Sequence, residues 1–507
     1  MTSTAHSPAK QVKDAIDSSR AAEAPPSELS ATFKKILAPL ASLKITIVLF
    51  LFSLFLILAG TLAQVDYGIW TVMETYFRTW VAHIELQIFM PNEWAKSLGL
   101  LTAKGESTTV PFPGGYPLGF AMVINLLAAH AVRFKLIAHG ERLKVGLIGT
   151  VIGLAMLIFA VLASTKIVWP LKAPIQFGPA IALSIVAILG LLYPSHLLYG
   201  KRLGIVYMHV GVILLLVNEL VTGLGAYEGR MEIQQQGINN FTYNLEESEL
   251  AIIALNPDGS ERVVAIPESK LEWSAKGNVI SDERLPFDVK VEKFFKNSRL
   301  VRAVKEDGTP ARDNPADAGE LRKVYVAESV KVGTGADGQG VADIGSGYVT
   351  LYYRESTEKI GTYLFSSFFT HTIGAEEMEP VVVDGKTYSV NMRFAREYKP
   401  YSVHLIEFRH DKFTGTQKAR NFSSEIMLLD EDHPNGRLAK ISMNDPLRYR
   451  GETFFQAAFL PRDSGTILQV VRNPGYLIPY IACIVVSLGM ALHFLGHLDR
   501  FSKRLFQ

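Results

Sequence analysis

The sequence predicts a polytopic α-helical membrane protein with six transmembrane helices and a large extracytoplasmic, antiparallel β-rich domain between the fifth and sixth. Three observations carry that expectation. Six apolar spans lack any charged residue over a length near the roughly 20 residues a helix needs to cross a bilayer. The polar stretch 225–472 reads instead in period two, punctuated by turn dipeptides. Lysines and arginines gather beside the same set of span ends, as the short cytoplasmic loops of membrane proteins do.

Residues 1–40 are rich in Ala, Ser, Glu and Pro and read as a disordered cytoplasmic tail rather than a signal peptide. The membrane region 41–224 holds the spans Ile45 to Ala63, Tyr116 to Val132, Val145 to Thr165, Ile175 to Leu198 and Leu203 to Asn218. Lys34, Lys35 and Lys44 precede the first, Arg133, Lys135, Arg142 and Lys144 follow the second, and Lys201 and Arg202 precede the fifth. Between the first two spans an aromatic outer-face loop, 64–115, is expected to lie on the membrane surface as an amphipathic helix. Four of the five tryptophans (Trp70, Trp80, Trp94, Trp169) fall in connections on that face. They read either as an interfacial belt or as a platform for a flat cofactor or a partner.

The domain 225–472 carries strand patterns such as Gly347 to Tyr353, Val381 to Val390 and Tyr401 to Phe408. Asp258-Gly259, Asp307-Gly308, Asp384-Gly385 and Asn435-Gly436 mark turns between them. A sandwich-like antiparallel arrangement follows, interrupted by a Gly-, Asp- and Ala-rich insertion from Glu306 to Gly347, within which Lys323 to Val330 has strand character. The segment 473–507 holds the sixth span, Tyr476 to Leu495, and a basic tail with Arg500, Lys503 and Arg504.

Composition narrows the function. A net charge of +2 leaves no global basic field for nucleic acid. The single cysteine, Cys483, lies in the last span, which excludes an intrachain disulfide and a Cys-x-x-Cys pair, so any thiol chemistry belongs to a partner. No zinc site, nucleophile elbow, phosphate loop or dinucleotide fingerprint is present.

The chemistry points instead to histidines in the spans, where an ionisable side chain is costly and defaults to a functional role. His209 lies seven residues beyond Arg202, about 10 Å along a helix rising 1.5 Å per residue. A neutral imidazole there suits a metal or haem iron, and equally an interhelical hydrogen bond. His130, three residues before Arg133, faces the same leaflet about 6 Å shallower; it is either a second ring on one iron or a headgroup-level residue. His493 and His497 read as interfacial. Glu219 either bonds a neighbouring helix or reaches the outer interface. In the outer domain, His404 and His410 are expected on one face of a strand, around 20 Å apart and too far to share a metal.

Several blocks resemble the ResB (CcsB-type) proteins of the System II pathway for cytochrome c maturation. Ser42-Leu43-Lys44 and Gly60-Thr61 bracket a first span like that of the family, followed by Asp66-Tyr67-Gly68. His209-Val210-Gly211, Tyr227-Glu228-Gly229 and Met231-Glu232-Ile233 are similar to the family's entry into its large domain. Asn444-Asp445-Pro446-Leu447-Arg448-Tyr449-Arg450-Gly451, Phe455-Gln456 and Asn473-Pro474-Gly475 resemble its closing signature. ResB proteins commonly have three helices before the outer domain where this chain has five; the third and fourth spans look like an inserted hairpin that leaves the topology unchanged. The tryptophan-rich haem motif of the partner family, ResC or CcsA, is absent.

The resemblance implies a multi-pass protein of the bacterial inner membrane, an assembly factor or non-autonomous subunit of a haem–apocytochrome c ligase. With a CcsA/ResC-type partner it would carry haem b outward for covalent attachment to apocytochrome c, whose thiols a thioredoxin-like protein keeps reduced. It makes His209 an axial ligand to the haem iron, with the second ligand from the partner, and gives His130 no further role. Two other readings stand beside it: a haem b electron-transfer subunit, and a permease or sensor whose outer domain binds a solute.

Overall fold

The computed structural model describes residues 35–505, apart from 36, 91, 100–107, 134–135, 166–174, 305–312, 331–341, 371–378 and 416–418. The N-terminal tail, Lys104, Lys135, Trp169 and the Asp307-Gly308 turn lie outside the described residues.

Among the described residues, five stretches are long and apolar enough to cross a membrane. The first three are α1 (Leu43–Val72), α2 (Gly115–Arg133) and α3 (Gly140–Thr165). The fourth, 49 residues long, is two helices, α4 (Phe177–Tyr199) and α5 (Leu203–Gly225), and the fifth is α6 (Ile478–Leu505). A single 3₁₀ turn at Gly200–Arg202 reverses the chain between α4 and α5, with Gly200 at φ +53°, a conformation that only glycine enters without cost. Phe50, Leu54, Ile148, Val151 and Val186 are exposed, as apolar faces that meet lipid are.

The aromatic stretch after the first span is helical as expected through Val72 and the π turn Met73–Phe77, and is not a helix over Val81–Glu85 and Thr109–Pro113. The far end of α1 doubles back: a methyl on Gly60 would stand 2.6 Å from the Phe77 ring and 3.4 Å from Val72. In a straight helix residues 60 and 72 would be about 18 Å apart. The π turn Met73–Phe77 then leads into a hairpin of β1 (Val81–Glu85) and β2 (Thr109–Pro113). Period-two burial of Ala82 and Ile84, and two prolines in β2, favour strand over helix here. Phe112 packs 4.9 Å from Phe55 of α1, and Phe89 stacks on the same ring at 5.8 Å.

Helices α5 and α6 pack antiparallel through glycine. A methyl on Gly204 would come within 2.7 Å of both the Gly489 carbonyl and the His493 amide, and one on Gly489 within 2.8 Å of the Met208 amide. Small residues let membrane helices approach backbone to backbone. At the other end Gly225 meets Pro474, and the chain enters β3 (Tyr227–Gln234) and leaves β17 (Gly465–Arg472), which pair antiparallel from Tyr227↔Arg472 to Gln234↔Gly465. The helix pair thus continues as a strand pair.

From β3 and β17 a ten-stranded sheet curls. Two long strands, β4 (Ile238–Leu255) and β12 (Lys386–Lys412), run through it and serve two cores. The core nearer the helices is enclosed by β3, β17, the second half of β12, β13 (Ala419–Leu429), β14 (Arg437–Ser442), β15 (Leu447–Tyr449) and β16 (Glu452–Phe459), and holds Met231, Val403, Ile426, Phe454 and Leu468. The sheet nearly closes on itself, since Ser442 and Asp445 exchange backbone hydrogen bonds of 3.1 Å. The second core is a sandwich. There β4, β5 (Glu261–Pro267), β11 (Glu379–Val383) and the first half of β12 face β6 (Phe287–Phe295), β9 (Ser346–Tyr353) and β10 (Lys359–Ser366) around Phe287, Leu351 and Phe365. A separate hairpin joins β7 (Ser298–Arg302) to β8 (Tyr325–Ser329), the latter within the Lys323 to Val330 stretch of strand character. The turn between β11 and β12 is Asp384-Gly385, both at positive φ, the two-residue type the dipeptide predicts.

At the foot of the curled sheet Lys399 is 3 % exposed and its Nζ donates to Glu452 Oε1 at 2.7 Å; Tyr401 donates to the other oxygen of that carboxylate. Removing one member of such a pair strands a charge, whereas removing both does not. Lys399→Met is expected to destabilise the purified chain by about 3–5 kcal/mol, and the Lys399→Met/Glu452→Gln double variant by clearly less, read as thermal midpoints.

Candidate functional site

His209 on α5 and His130 on α2, each half-buried, meet between these two helices. His209 Nδ1 lies 3.0 Å from His130 Nε2, with ring centroids 5.0 Å apart and planes at 89°. The sequence separates the two in depth, yet the rings are level. The reason is directional: side chains on a helix lean toward its N-terminus, and α2 and α5 run antiparallel, as Tyr116 beside Gly223 shows at the opposite end. His130 therefore leans deeper and His209 leans back toward the basic end. Buried Asn125 fixes α2 to α1, donating to Leu40 O at 2.6 Å and accepting from Thr46 Oγ1 at 2.7 Å.

An iron between the rings would hold the two nitrogens about 4 Å apart, given metal–nitrogen bonds of about 2.0–2.1 Å. At 3.0 Å the contact is a hydrogen bond instead. It fits one iron ligand and one orienting neighbour: if His209 Nδ1–H donates to His130 Nε2, the His209 lone pair sits on Nε2, on the far side of the ring.

Glu219, ten residues further along α5, pairs with Arg78 at 3.5 Å. Its carboxylate is more than half exposed, so the pair adds little stability. His493 and His497 share one face of α6 with ring centroids 4.6 Å apart, at the end where α6 packs on Gly204. Trp80 and Trp94 are exposed, as residues of an interfacial belt are.

The expectation that His404 and His410 share a face fails. A bulge between Leu405 and Glu407 of β12 inserts one residue against β13 and inverts the alternation beyond it. His404 stays on the outside, while His410 turns inward between Phe422 and Phe459, at 4.6 and 4.7 Å, with Nδ1 2.9 Å from Asp463. Its Nε2 is enclosed and has no hydrogen-bond partner among the described residues.

One cluster escaped the sequence reading. In the β13–β14 turn, Asp430 has a fully enclosed carboxylate that accepts from the His433 amide at 2.8 Å, His433 Nδ1 at 3.0 Å, Arg450 at 2.9 Å and the Tyr449 hydroxyl. Burial by itself pushes this carboxyl up, but the bonds from Tyr449 and His433 and the Arg450 charge outweigh it and hold Asp430 below the usual carboxylate range. Tyr449 and Arg450 belong to the closing signature, and Arg450-Gly451, both at positive φ, make the two-residue turn from β15 to β16. Next to them, the Arg448 guanidinium lies 4.3 Å from the Phe177 ring at the start of α4, so the cluster sits at the end of the curled sheet nearest the helices. The available signal was a short one, Asp430 three residues before His433 in a turn.

The ResB-like family model matches residues 364–465, a stretch that contains this cluster and His410 but neither His130 nor His209. Protein NrfI of Wolinella succinogenes is 28% identical to the chain over 102 residues, 20% of this chain. That alignment covers only 11% of NrfI's length. The family resemblance read from the sequence stands on these two matches.

A carboxylate held below its ordinary value contributes stability that is complete above the unfolded value near pH 3.9 and is lost as pH falls through the folded one. Between about pH 5 and 2 the wild-type chain is therefore expected to lose more thermal stability than Asp430→Asn, with the Asn variant the less stable at neutral pH.

Proposed function

Taking the chain as a member of the ResB-like family, we propose that it is a membrane subunit for cytochrome c maturation that carries haem b across the bacterial inner membrane and presents it for attachment to apocytochrome c. Haem is cargo in this reading. A CcsA/ResC-type protein is the partner that supplies the second axial ligand, and a thioredoxin-like protein keeps the apocytochrome thiols reduced. The chain is a non-autonomous part of the ligase.

The observation that carries the reading is the half-buried, hydrogen-bonded His130–His209 pair between two apolar helices. Two imidazoles so placed are costly for a purely structural contact, which Ser, Thr or Asn makes more cheaply, as Asn125 does between α1 and α2. His209 Nε2 binds the iron, and His130 fixes the tautomer and plane of that ring, as a neighbour does for most metal-bound histidines. The large domain lies outside the cytoplasm, because the basic residues Lys144, Lys201 and Arg202 flank the helix ends opposite it. An electron-transfer subunit would also use histidines in its helices, and it is the reading to exclude.

The test is the haem absorption of the chain co-purified with its partner. His209→Ala is expected to lose the haem, while His130→Ala keeps the site but binds haem about 10–100-fold more weakly. Unchanged haem in His209→Ala would overturn the ligand assignment. Reversible haem turnover with quinol would favour electron transfer instead.

A further inference from the structure

The curled sheet ends, on the side of the helices, in the Asp430–His433 cluster, and its geometry is that of a base held ready. Asp430 is fully enclosed and anionic, so it is acceptor only, and His433 must direct its Nδ1–H toward it. That fixes the tautomer with the lone pair on Nε2. The His433 side chain is 38% exposed, so this nitrogen belongs to the partly open edge of the ring while the other edge is anchored. Arg450 bridges Asp430 and Asp432 at 2.9 and 2.7 Å, and Tyr449 closes the carboxylate from the sheet side with its ring 6.3 Å from the imidazole. A turn that needed only a cap would use the backbone amide of His433 and stop. Here a tyrosine and an arginine some twenty residues away in sequence converge on the same carboxylate.

We infer that His433, oriented by Asp430, is the general base for joining haem to the apocytochrome. This rests on the haem-carrying reading above. The reaction is the addition of a cysteine S–H across a haem vinyl group. His433 Nε2 takes the thiol proton as the sulfur bonds to the vinyl carbon next to the ring; water supplies the proton that the terminal carbon gains, and the imidazolium returns its own proton to the solvent. The S–H bond and the vinyl π bond break, C–S and C–H bonds form, and no oxidant or reductant is consumed. A positioned imidazole of this kind contributes about 100- to 10,000-fold in rate. Asp430 is a positioning residue, and Tyr449 and Arg450 hold it in turn, which gives the Arg448-Tyr449-Arg450-Gly451 signature a physical task.

The experiment uses the full chain in complex with its partner, loaded with haem, and two synthetic apocytochrome peptides, one with Cys-x-x-Cys-His and one with both cysteines replaced by selenocysteine. A selenol is ionised at neutral pH and needs no base. His433→Gln, whose amide can still donate to Asp430, is expected to keep its haem and thermal midpoint and to attach haem to the thiol peptide at least 100-fold more slowly, with the selenol peptide near the wild-type rate. Asp430→Asn is expected to show the same thiol-selective loss. An unchanged thiol rate, or equal loss with both peptides, overturns the assignment while leaving haem carriage intact. Loss of haem from His433→Gln overturns it in favour of a haem-binding role. A wild-type complex without haem removes the parent reading and this inference together.

Discussion

The contact on which the rest depends is the backbone-to-backbone packing of α5 on α6 at Gly204, Gly211 and Gly489. Lipid offers apolar side chains no gain on association, so close approach through glycine is what holds this pair. The pair enters the large domain as β3 and leaves it as β17, still antiparallel, with Tyr227 opposite Arg472. Every strand of the large domain is therefore placed relative to the membrane by two helices. A side chain at Gly204 would force them apart and tilt the whole domain.

The same packing assigns the faces of α5. Gly204 and Gly211 meet α6, and His209, which lies round the helix from both, meets His130 of α2 instead. The α3–α4 hairpin packs from the other side, with Phe177 and Ile188 against the start of α6 and its neighbours. It meets the domain where Arg448 lies over Phe177.

The sequence made the helices legible because charge is absent from them, and the β domain legible because its turns obey local rules, as Asp384-Gly385 does. It failed where a contact is decided at a distance. The bulge at Ile406 is invisible in a period-two count, which puts His404 and His410 on one face. The aromatics from Tyr67 to Phe77 are helical as their pattern suggests, while beyond them Pro111 and Pro113 and the alternation of Ala82 and Ile84 decide for a hairpin that folds back on Phe55. The depth of His130 was read from its backbone, and the lean of the side chain closes the gap. Asp430 and His433 are not legible in the sequence because Tyr449 and Arg450, which turn a common capped turn into an enclosed ion cluster, lie across the sheet closure.

The central claim is that one imidazole, His209, binds iron through the nitrogen that His130 does not touch. Cavity rescue tests it most directly. His209→Gly removes the ring and leaves its space, so the complex purified from that variant is predicted to lack the haem band, and millimolar imidazole with added haem is predicted to restore it. A haem band already present without imidazole would contradict the account, as would a failure of imidazole to restore it in a folded complex.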